Sequence, residues 1–434
     1  MVQRRPPAEL PPFLRASDGA ATFTFDTVSR RLPAIVRSTI ASNRYAAPLA
    51  AELEALASNI AADALLVPLA DAAWNAHPQM AEALAARESW HSASWWLVEN
   101  YLYKRILQST AKHGETADPF RRQKTEALEA SERALLTSIL PLFGTAAAAG
   151  GKRHAHAPLG HFLYRSLWGN RADLSISAGD GKSAVSGAEA MEERSRLVGV
   201  ADATRGEGAP VPLEAVRDGS KLLCDDMAQV IAALPTDSRG AVLLLLDNAG
   251  LELLTDLALA AAMLSLGHCA TLELVAKDTP TFVSDATPAD VDSTIDWLRA
   301  HQGEGARTLA QQLDELRTCG RLRVSEEAFL TSPCHFWQMP QEMADRWARS
   351  QLVILKGDAN YRRLLCDAHW PHASTPANTL GANWPAKKTL CLRTCKSEVL
   401  VGVPAQATAR AAAEAKDWLT AGEYGLVQLF EPGY

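Results

Sequence analysis

The sequence predicts an α/β fold: a mostly parallel sheet with helices on both faces, preceded by a mainly helical N-terminal region. Two observations support this fold class. From about residue 213 onward, short apolar runs alternate with stretches of helical periodicity, which is typical of βαβ units. Before that point, apolar residues recur at three- and four-residue steps, which indicates amphipathic helices.

The helical region begins with residues 25–66, in which Leu32, Ile35, Val36 and Ile40 fall on one stripe. Further helices are predicted near residues 78–87, 90–107 and 124–142. The segment that follows, residues 144–158, is rich in Ala, Gly and His and is interpreted as a linker. We therefore expect a helical region in residues 1–158, with the linker at its end, and an α/β domain in residues 159–434.

The composition limits the classes of protein to consider. The chain has 434 residues, 47% of them hydrophobic and 21% charged, which is enough for a sizeable core. Its formal net charge of -7 argues against nucleic-acid binding, which requires a basic face. No window resembles a membrane span or a secretory signal, and the seven cysteines contain no C-x-x-C pair. We expect a cytoplasmic protein; the sequence does not predict its oligomeric state.

One buried strand has polar residues at its carboxyl end. Residues 242–246 are all apolar, as in a parallel strand covered on both faces, and Asp247 and Asn248 follow directly. A tight turn then leads into a helix predicted at 251–266, with Glu252 in its first turn. Because ligands of open α/β sheets bind beyond the carboxyl ends of the strands, Asp247 and Asn248 are predicted to face a crevice.

Three further strands repeat this arrangement. The run 271–275 is followed by a loop that contains Asp285, before a helix that begins near Pro288. The run 352–355 precedes the sequence KGDANYRR. The run 390–392 precedes RTCK and a further predicted strand at 399–403. Acidic and basic residues thus recur at the ends of separate strands.

These residues are the parts of a metal-dependent phosphoryl site. Four of them offer only hard oxygen ligands, which suit Mg²⁺ or Mn²⁺: Asp247, Asn248, Asp285 and Asp358. Three cations complement them and can neutralise a phosphoryl group: Lys356, Arg362 and Lys396. The alternative is that each Asp only caps a helix and each cation is a solvated surface group.

Several separated motifs closely resemble the damage-control phosphatase family, also known as domain of unknown function 89. They are DNAGLELLTD at 247–256, FVSDATPAD at 282–290, LKGDANYRRLLCD at 355–367 and LRTCKSE at 392–398. The segments LWGNRADLSIS at 167–177 and WLVENYLYKRI at 96–106 resemble the branch that acts on sugar phosphates and contains the acidic residue methyltransferase 1 proteins. The resemblance runs from about Phe25 to the C-terminus. Its mild departures, Ala249 and Ala359, remove no ligand.

The resemblance implies a set of site residues. Asp247, Asn248 and Asp285 would hold a divalent metal: Mn²⁺, Co²⁺, Ni²⁺ or Mg²⁺. The metal ligands would also contact substrate, together with Glu252, Asp358, Ala359, Asn360, Tyr361, Arg362 and Lys396. Apart from the resemblance, we expect a lid from the helical N-terminal half, with Asn170 and Asp173 reaching the crevice. The expected catalytic residues are Asp247, as nucleophile or only as ligand, Asp358, as general acid or hydroxyl ligand, and Lys396, which would stabilise developing charge.

The implied activity is hydrolysis of small phosphate esters, namely fructose 1-phosphate, fructose 6-phosphate or related damaged metabolites, to sugar and inorganic phosphate. One alternative is carboxyl methyl transfer from S-adenosylmethionine. Its usual fold has a Gly-rich turn after the first strand, whereas the turn here, DNAG, is acidic. The other alternative is a non-catalytic scaffold, which the acids and cations present at every motif argue against.

Overall fold

The structure is a computed structural model that describes residues 6–7, 9–143, 158–172, 213–380 and 387–431. Its centre is a seven-stranded sheet with the order β1-β7-β6-β5-β2-β3-β4. The strands are β1 Leu222–Asp225, β2 Ala241–Leu245, β3 Thr271–Lys277, β4 Leu322–Glu327, β5 Leu352–Lys356, β6 Lys388–Thr394 and β7 Gly425–Phe430. The sheet confirms the predicted α/β class.

Most neighbouring strands are parallel. Strands β6, β5, β2, β3 and β4 run in one direction, whereas β7 is antiparallel to β6 and carries β1 parallel to itself at the edge. The chain passes from β2 to β3 and β4 on one side and then returns to β5 on the other side of β2. The gap between β2 and β5 is therefore a topological switch point, where open α/β sheets bind their ligands.

Both faces of the sheet are buried, which explains the apolar runs without alternation. Along β2, Val242 and Leu244 belong to one hydrophobic cluster, and Leu243 and Leu245 belong to the other. Successive side chains of a strand point to opposite faces, so both faces need apolar residues. One cluster also includes the N-terminal helices, so that region packs directly on the sheet.

The N-terminal region is helical, as predicted, but the predicted stretches 25–66 and 124–142 are each divided into several shorter helices. The helices of this region are α1 Phe23–Asp26, α2 Leu32–Asn43, α3 Ala47–Ala61, α4 Ala72–Asn75, α5 Pro78–Ala86, α6 Trp95–Lys112, α7 Arg121–Glu129 and α8 Glu132–Ala134. Two π-helical segments, Thr27–Arg31 and Leu135–Ile139, follow α1 and α8. The proposed linker lies almost wholly outside the described residues, and the division at residue 158 stays a prediction.

The remaining helices surround the sheet. They are α9 Leu159–Gly169, α10 Leu213–Arg217, α11 Met227–Ala233, α12 Leu251–Ser265, α13 Pro288–Ala300, α14 Glu304–Thr318, α15 Gln341–Arg349, α16 Gly357–Leu364, α17 Pro376–Leu380 and α18 Ala405–Glu414. Among the described helices, none combines the length and apolar character needed to span a bilayer.

The strand predicted at 399–403 is wrong. These residues form a loop after β6, and their backbone groups bond to side chains and to another loop instead of a neighbouring strand: the amides of Gly402 and Val403 donate to the carbonyls of Ser374 and His372. Arg393 donates to the carbonyl of Val399 at 2.5 Å, and Gln428 donates to that of Val401 at 2.9 Å. The amide of Val401 donates to the hydroxyl of Tyr361 at 3.3 Å. A buried apolar run is thus compatible with a loop when side chains satisfy its backbone.

Candidate active site

Two loops at the switch point bring the three predicted metal ligands together. Asn248, just after β2, forms an isolated antiparallel bridge with Asp285 in the loop after β3. The amide of Ala249 donates to the carbonyl of Ser284, and the amide of Ala286 donates to that of Asp247, both at 2.7 Å. The backbone therefore fixes Asp247, Asn248 and Asp285 beside one another.

Hydrogen bonds orient the carboxamide of Asn248. Its Nδ2 donates to Asp247 Oδ2 at 2.9 Å and to Glu252 Oε2 at 2.8 Å. Its Oδ1 accepts from the hydroxyl of Ser284 at 2.6 Å. Because both amide protons are committed to carboxylates, the oxygen faces the Asp285 loop, where it retains acceptor capacity for a cation.

Lys277 is a site residue that the sequence reasoning missed. It ends β3, and its Nζ lies 2.9 Å from Asp285 Oδ2, 3.7 Å from Asp247 Oδ1 and 2.6 Å from the carbonyl of Leu246, to which it donates. The sequence does contain a signal for this residue, because a lysine at the end of a buried apolar run must find charged or polar partners. Lys277 holds the two carboxylates in place.

Beneath the metal-ligand candidates lies a buried ionic cluster. The ammonium of Lys356 is 3.1 Å from Glu252 and 3.3 Å from Asp256, one helical turn apart on α12. Burial raises the pKa of Asp256 to about 7; Lys356 opposes this effect and Glu252 adds to it. Burial by itself lowers the pKa of Lys356, but the two carboxylates raise it overall. Ser166 donates to Asp256 at 2.5 Å.

Asn170 connects three parts of the site. Its Nδ2 donates to Asp247 at 2.8 Å and to Glu252 at 2.6 Å, and its Oδ1 accepts from the hydroxyl of Thr394. Its backbone carbonyl accepts from Lys396 Nζ at 2.6 Å. The sequence associated Asn170 with Asp173, which lies outside the described residues.

Asp358 stands in the first turn of α16, after β5. Its Oδ1 accepts from Arg393 Nε at 2.7 Å, Ser397 Oγ at 3.1 Å and the amide of Lys396 at 3.3 Å. Arg393, which the sequence reasoning did not include, is completely buried and fixes this carboxylate. The end of β5 and the loop after β6 are thereby joined.

Gly357 permits the close approach of β2 and β5 at the switch point. Its φ is +76°, and an ideal Cβ at this position would lie 1.8 Å from Asp247 Oδ2. A side chain there would overlap the carboxylate, and a positive φ adds strain for any residue with a Cβ. Glycine is therefore required for the observed position of Asp247.

The remaining residues of the DANYR motif have different surroundings. Arg362 lies on the cavity, where its guanidinium donates to Asp367 at 2.7 and 3.0 Å and to Glu99 at 2.5 Å. It also stacks 3.7 Å from the ring of Trp95. Asn360 Nδ2 donates to the carbonyl of Lys356, and the Tyr361 hydroxyl donates to Gln428.

All these elements enclose one cavity with two unlike sides. We call the sheet side the acidic floor; it consists of Asp247, Asn248, Asp285, Asp358, Ala359 and Lys396. We call the opposite side the helical wall; it consists of Phe23, Thr27, Arg31, Trp95, Glu99 and Tyr103. The N-terminal helices thus form one side of the cavity.

The donor set and charges fit a divalent cation. Within the described ranges, no three His, Cys, Asp or Glu side chains group as metal ligands, and the predicted set combines two carboxylates with a carboxamide. When all are ionised, the described floor and ionic cluster contain four linked carboxylates and two lysines. The carboxylates are Asp247, Glu252, Asp256 and Asp285, and the lysines are Lys277 and Lys356. Buried carboxylates need charged or hydrogen-bonding partners, and a cation bound beside Asp247 and Asp285 would supply one.

The fold and the site define an α/β protein with an acidic, oxygen-lined centre at its switch point. Residues 27–206 and 214–411 match the family model of the damage-control phosphatase ARMT1-like domain. The chain belongs to this family, as the resemblance of its motifs implied.

Curated relatives extend over most of the chain. It is similar to damage-control phosphatase ARMT1 of Xenopus tropicalis, with 30% identity over 96% of this chain and 99% of that protein. The Danio rerio protein of the same name is 29% identical over 83% of this chain and 79% of that protein. The Mus musculus protein is 28% identical over 98% of this chain and 100% of that protein. A solved DUF89 family protein from Pyrococcus horikoshii is 14% identical, with a TM-score of 0.41, and 74% of this chain and 81% of that chain are covered.

Proposed function

We propose that this protein is a divalent-metal-dependent phosphatase that releases inorganic phosphate from small sugar phosphates: fructose 1-phosphate, fructose 6-phosphate or related damaged metabolites. One observation carries the proposal: Asp247, Asn248 and Asp285 face the same cavity as the cation Lys396. Membership of the damage-control phosphatase family and the names of the relatives support it. The substrate class follows from the resemblance of the motifs.

Asp247, Asn248 and Asp285 would hold Mn²⁺, Co²⁺, Ni²⁺ or Mg²⁺. A bound divalent metal polarises phosphoryl oxygens and positions the attacking group. The chain itself contributes orientation. Asp247 Oδ2 accepts from Asn170 and Asn248, which fixes the plane of the carboxylate before substrate arrives. This role is compatible with Asp247 as nucleophile or as ligand alone.

Lys396 and Asp358 would act on the substrate from the other side of the floor. The Lys396 ammonium, held against the carbonyl of Asn170, supplies positive charge for the phosphoryl oxygens. Asp358 is held by Arg393 and binds a substrate hydroxyl or protonates the leaving oxygen. Arg362 lines the same cavity, where Asp367 and Glu99 hold its guanidinium in a fixed position.

The experiment is phosphate release from a panel of sugar phosphates and nucleotides. The protein is stripped with chelator and then supplied with Mn²⁺, Co²⁺, Ni²⁺ or Mg²⁺ in turn, and its thermal midpoint is recorded with each metal. We expect release from ketose phosphates only with metal. We also expect a higher midpoint with metal, since a ligand that binds only the folded state stabilises it.

Other outcomes would contradict the proposal. Release from no ester with any metal removes the phosphatase function. A calorimetric titration with S-adenosylmethionine serves as the control for methyl transfer, and we expect no binding. Binding of that compound without phosphate release would favour the methyltransferase. The absence of both binding and phosphate release would favour a scaffold.

We further propose a cytoplasmic location, without a nucleic-acid or membrane partner. The support is chemical: all seven cysteines are free thiols in the structure, which is typical of a reducing compartment. Fractionation of cells that produce the tagged protein tests this location, and recovery with secreted or membrane fractions would contradict it.

A further inference from the structure

The helical wall contains a π-helical segment, Thr27–Arg31, between α1 and α2. Its first and last residues, Thr27 and Arg31, both line the cavity. They are four residues apart, so they lie on the same side of the helical turn. Short π-helical segments occur frequently at functional sites, and this one faces the acidic floor.

The hydroxyl of Thr27 is buried, with 3% of the residue exposed, yet its Oγ1 has no hydrogen-bond partner within the part of the chain that the structure describes. Neighbouring helical hydroxyls behave differently. Ser29 Oγ donates to the carbonyl of Phe25 at 2.6 Å, and Thr39 Oγ1 donates to that of Ile35 at 2.8 Å. A buried hydroxyl without a partner is costly, and Thr27 lines the cavity, so a bound ligand that supplies the hydrogen bond would remove this cost.

Arg31 and Glu99 add a donor and an acceptor to the same wall. Burial raises the pKa of Glu99, and the positive charges of Arg362 and Arg31 oppose this rise, so Arg31 lies within range of the carboxylate. The guanidinium of Arg31 also stands 5.1 Å from the ring of Phe23. The wall therefore combines a hydroxyl, a cation, a carboxylate and aromatic rings.

The charges of the wall decide which ligand chemistry fits. Arg31 and Glu99 on the wall carry one charge of each sign, and Arg362, which lines the same cavity, is paired with Asp367. A second phosphate group would require an excess of positive charge. Hydroxyl groups, which both donate and accept, suit a neutral wall that offers donors and acceptors together.

We propose that Thr27 and Arg31 determine substrate specificity by binding hydroxyl groups of the polyhydroxylated part of the substrate, while the acidic floor binds its phosphoryl group. This inference rests on the proposed function. It assigns the N-terminal helices a part in choosing among phosphate esters.

The test compares two esters, fructose 1-phosphate and p-nitrophenyl phosphate, with Mn²⁺ present. The second ester has no sugar hydroxyls. We expect Thr27→Val to lower the ratio of kcat/KM for the sugar ester over that for the aromatic ester by three- to tenfold, mainly through KM. The thermal midpoint should stay equal or rise, because valine removes an unpaired buried hydroxyl without changing shape.

Arg31 is tested in the same way. We expect Arg31→Gln to lower the ratio tenfold or more, since a charge-assisted hydrogen bond is lost, and Arg31→Lys to restore part of it. Arg30→Gln is the matched control, because Arg30 is exposed and pairs with Asp26 at 2.8 Å. Thr39→Val is the control for Thr27, and neither control should change the ratio.

An unchanged ratio in both Thr27→Val and Arg31→Gln would overturn the inference, as would an equal loss for both esters. If the wild type releases phosphate from neither ester, the proposed function fails separately. Calorimetric binding of fructose 1-phosphate then decides the inference: binding that Thr27→Val weakens supports it, and absent or unaltered binding overturns it.

Discussion

The acidic floor and the helical wall hold their polar side chains in different ways. On the floor, Asp247, Asn248 and Asp358 each take part in at least two side-chain hydrogen bonds within the protein. On the wall, Thr27 has a buried hydroxyl without a described partner, beside the rings of Phe23 and Trp95. The floor is arranged before a ligand binds, whereas the Thr27 hydroxyl on the wall keeps bonding capacity for one.

This difference indicates a division of work. Catalysis benefits from groups that are already oriented toward developing charge, because no reorganisation is then needed. Recognition benefits from groups whose hydrogen bonds are completed only by the right ligand, since a wrong ligand leaves them unpaired. Substitutions on the floor should therefore affect turnover of every ester, and those on the wall should affect the choice among esters.

The largest expected effect is that of Asp247→Ala on the floor. We expect kcat to fall at least ~1,000-fold for all esters, which corresponds to roughly 4 kcal/mol of lost transition-state stabilisation. The fold should persist, because the backbone hydrogen bond from Ala286 to Asp247 remains and no apolar side chain of the core is removed. Phosphate release at saturating metal and circular dichroism measure the two effects.

The control for this substitution is Asp292→Ala, whose side chain is 58% exposed and pairs with Arg317. It should leave turnover unchanged. Near wild-type turnover of Asp247→Ala would show that the floor is not the catalytic side.

The next largest effect is expected for Gly357→Ala, which tests how tightly the floor is built. The added Cβ would overlap the Asp247 carboxylate, so we expect kcat/KM to fall about 100-fold for both esters, together with lower thermal stability.

Gly320→Ala is the matched control, because it introduces backbone strain without a steric overlap. Gly320 has a φ of +73°, and no described heavy atom lies within 4 Å of an ideal Cβ there. It should cost about 1 kcal/mol of stability and leave kcat/KM unchanged. Equal kinetics in both variants would contradict a rigid floor.

The last comparison concerns stability instead of turnover, at the ionic cluster beneath the floor. The pKa of Asp256 is about 7 in the folded protein against an ordinary 3.8, so its contribution to stability is full below pH 4 and is lost as the pH rises through 7. Asp256→Asn should remove this loss. We expect the unfolding free energy of Asp256→Asn, relative to that of the wild type, to increase between pH 4 and pH 7 by at most roughly 1.4 kcal/mol per pH unit.

Urea denaturation across this pH range, with chelator present, measures the gain. Ser166→Ala sharpens the result: the hydrogen bond from Ser166 lowers the pKa of Asp256, so its removal should move the loss of stability to higher pH. Parallel pH curves for the wild type and Asp256→Asn would exclude Asp256 as the titrating group.

Several features of the molecule followed from local sequence. Residues 242–246 contain no polar residue because both faces of β2 are buried, and this pattern is visible without any contact information. A run of this kind predicts only burial, however. The similar run at 399–403 is a loop, because Arg393 and Gln428 bond to its backbone from elsewhere in the chain.

Site residues that act through distant contacts could not be predicted in this way. Lys277 and Arg393 belong to strands, and only the sheet order brings Lys277 to Asp247 and Arg393 to Asp358. Arg362 was expected to neutralise phosphoryl charge, and the structure gives it two carboxylate partners, Asp367 and Glu99, the latter 263 positions away. Pairing over such separations depends on packing and leaves no local pattern.

The sequence by itself determined the α/β class and the polar side chains at the end of β2, because strand periodicity and the residues that end a strand are local properties. Only the tertiary structure decided that the N-terminal helices face this end of the sheet and bring Thr27 and Arg31 to the same cavity as Asp247. The physical reason is that side chains from separate segments meet only when their apolar faces pack against one another.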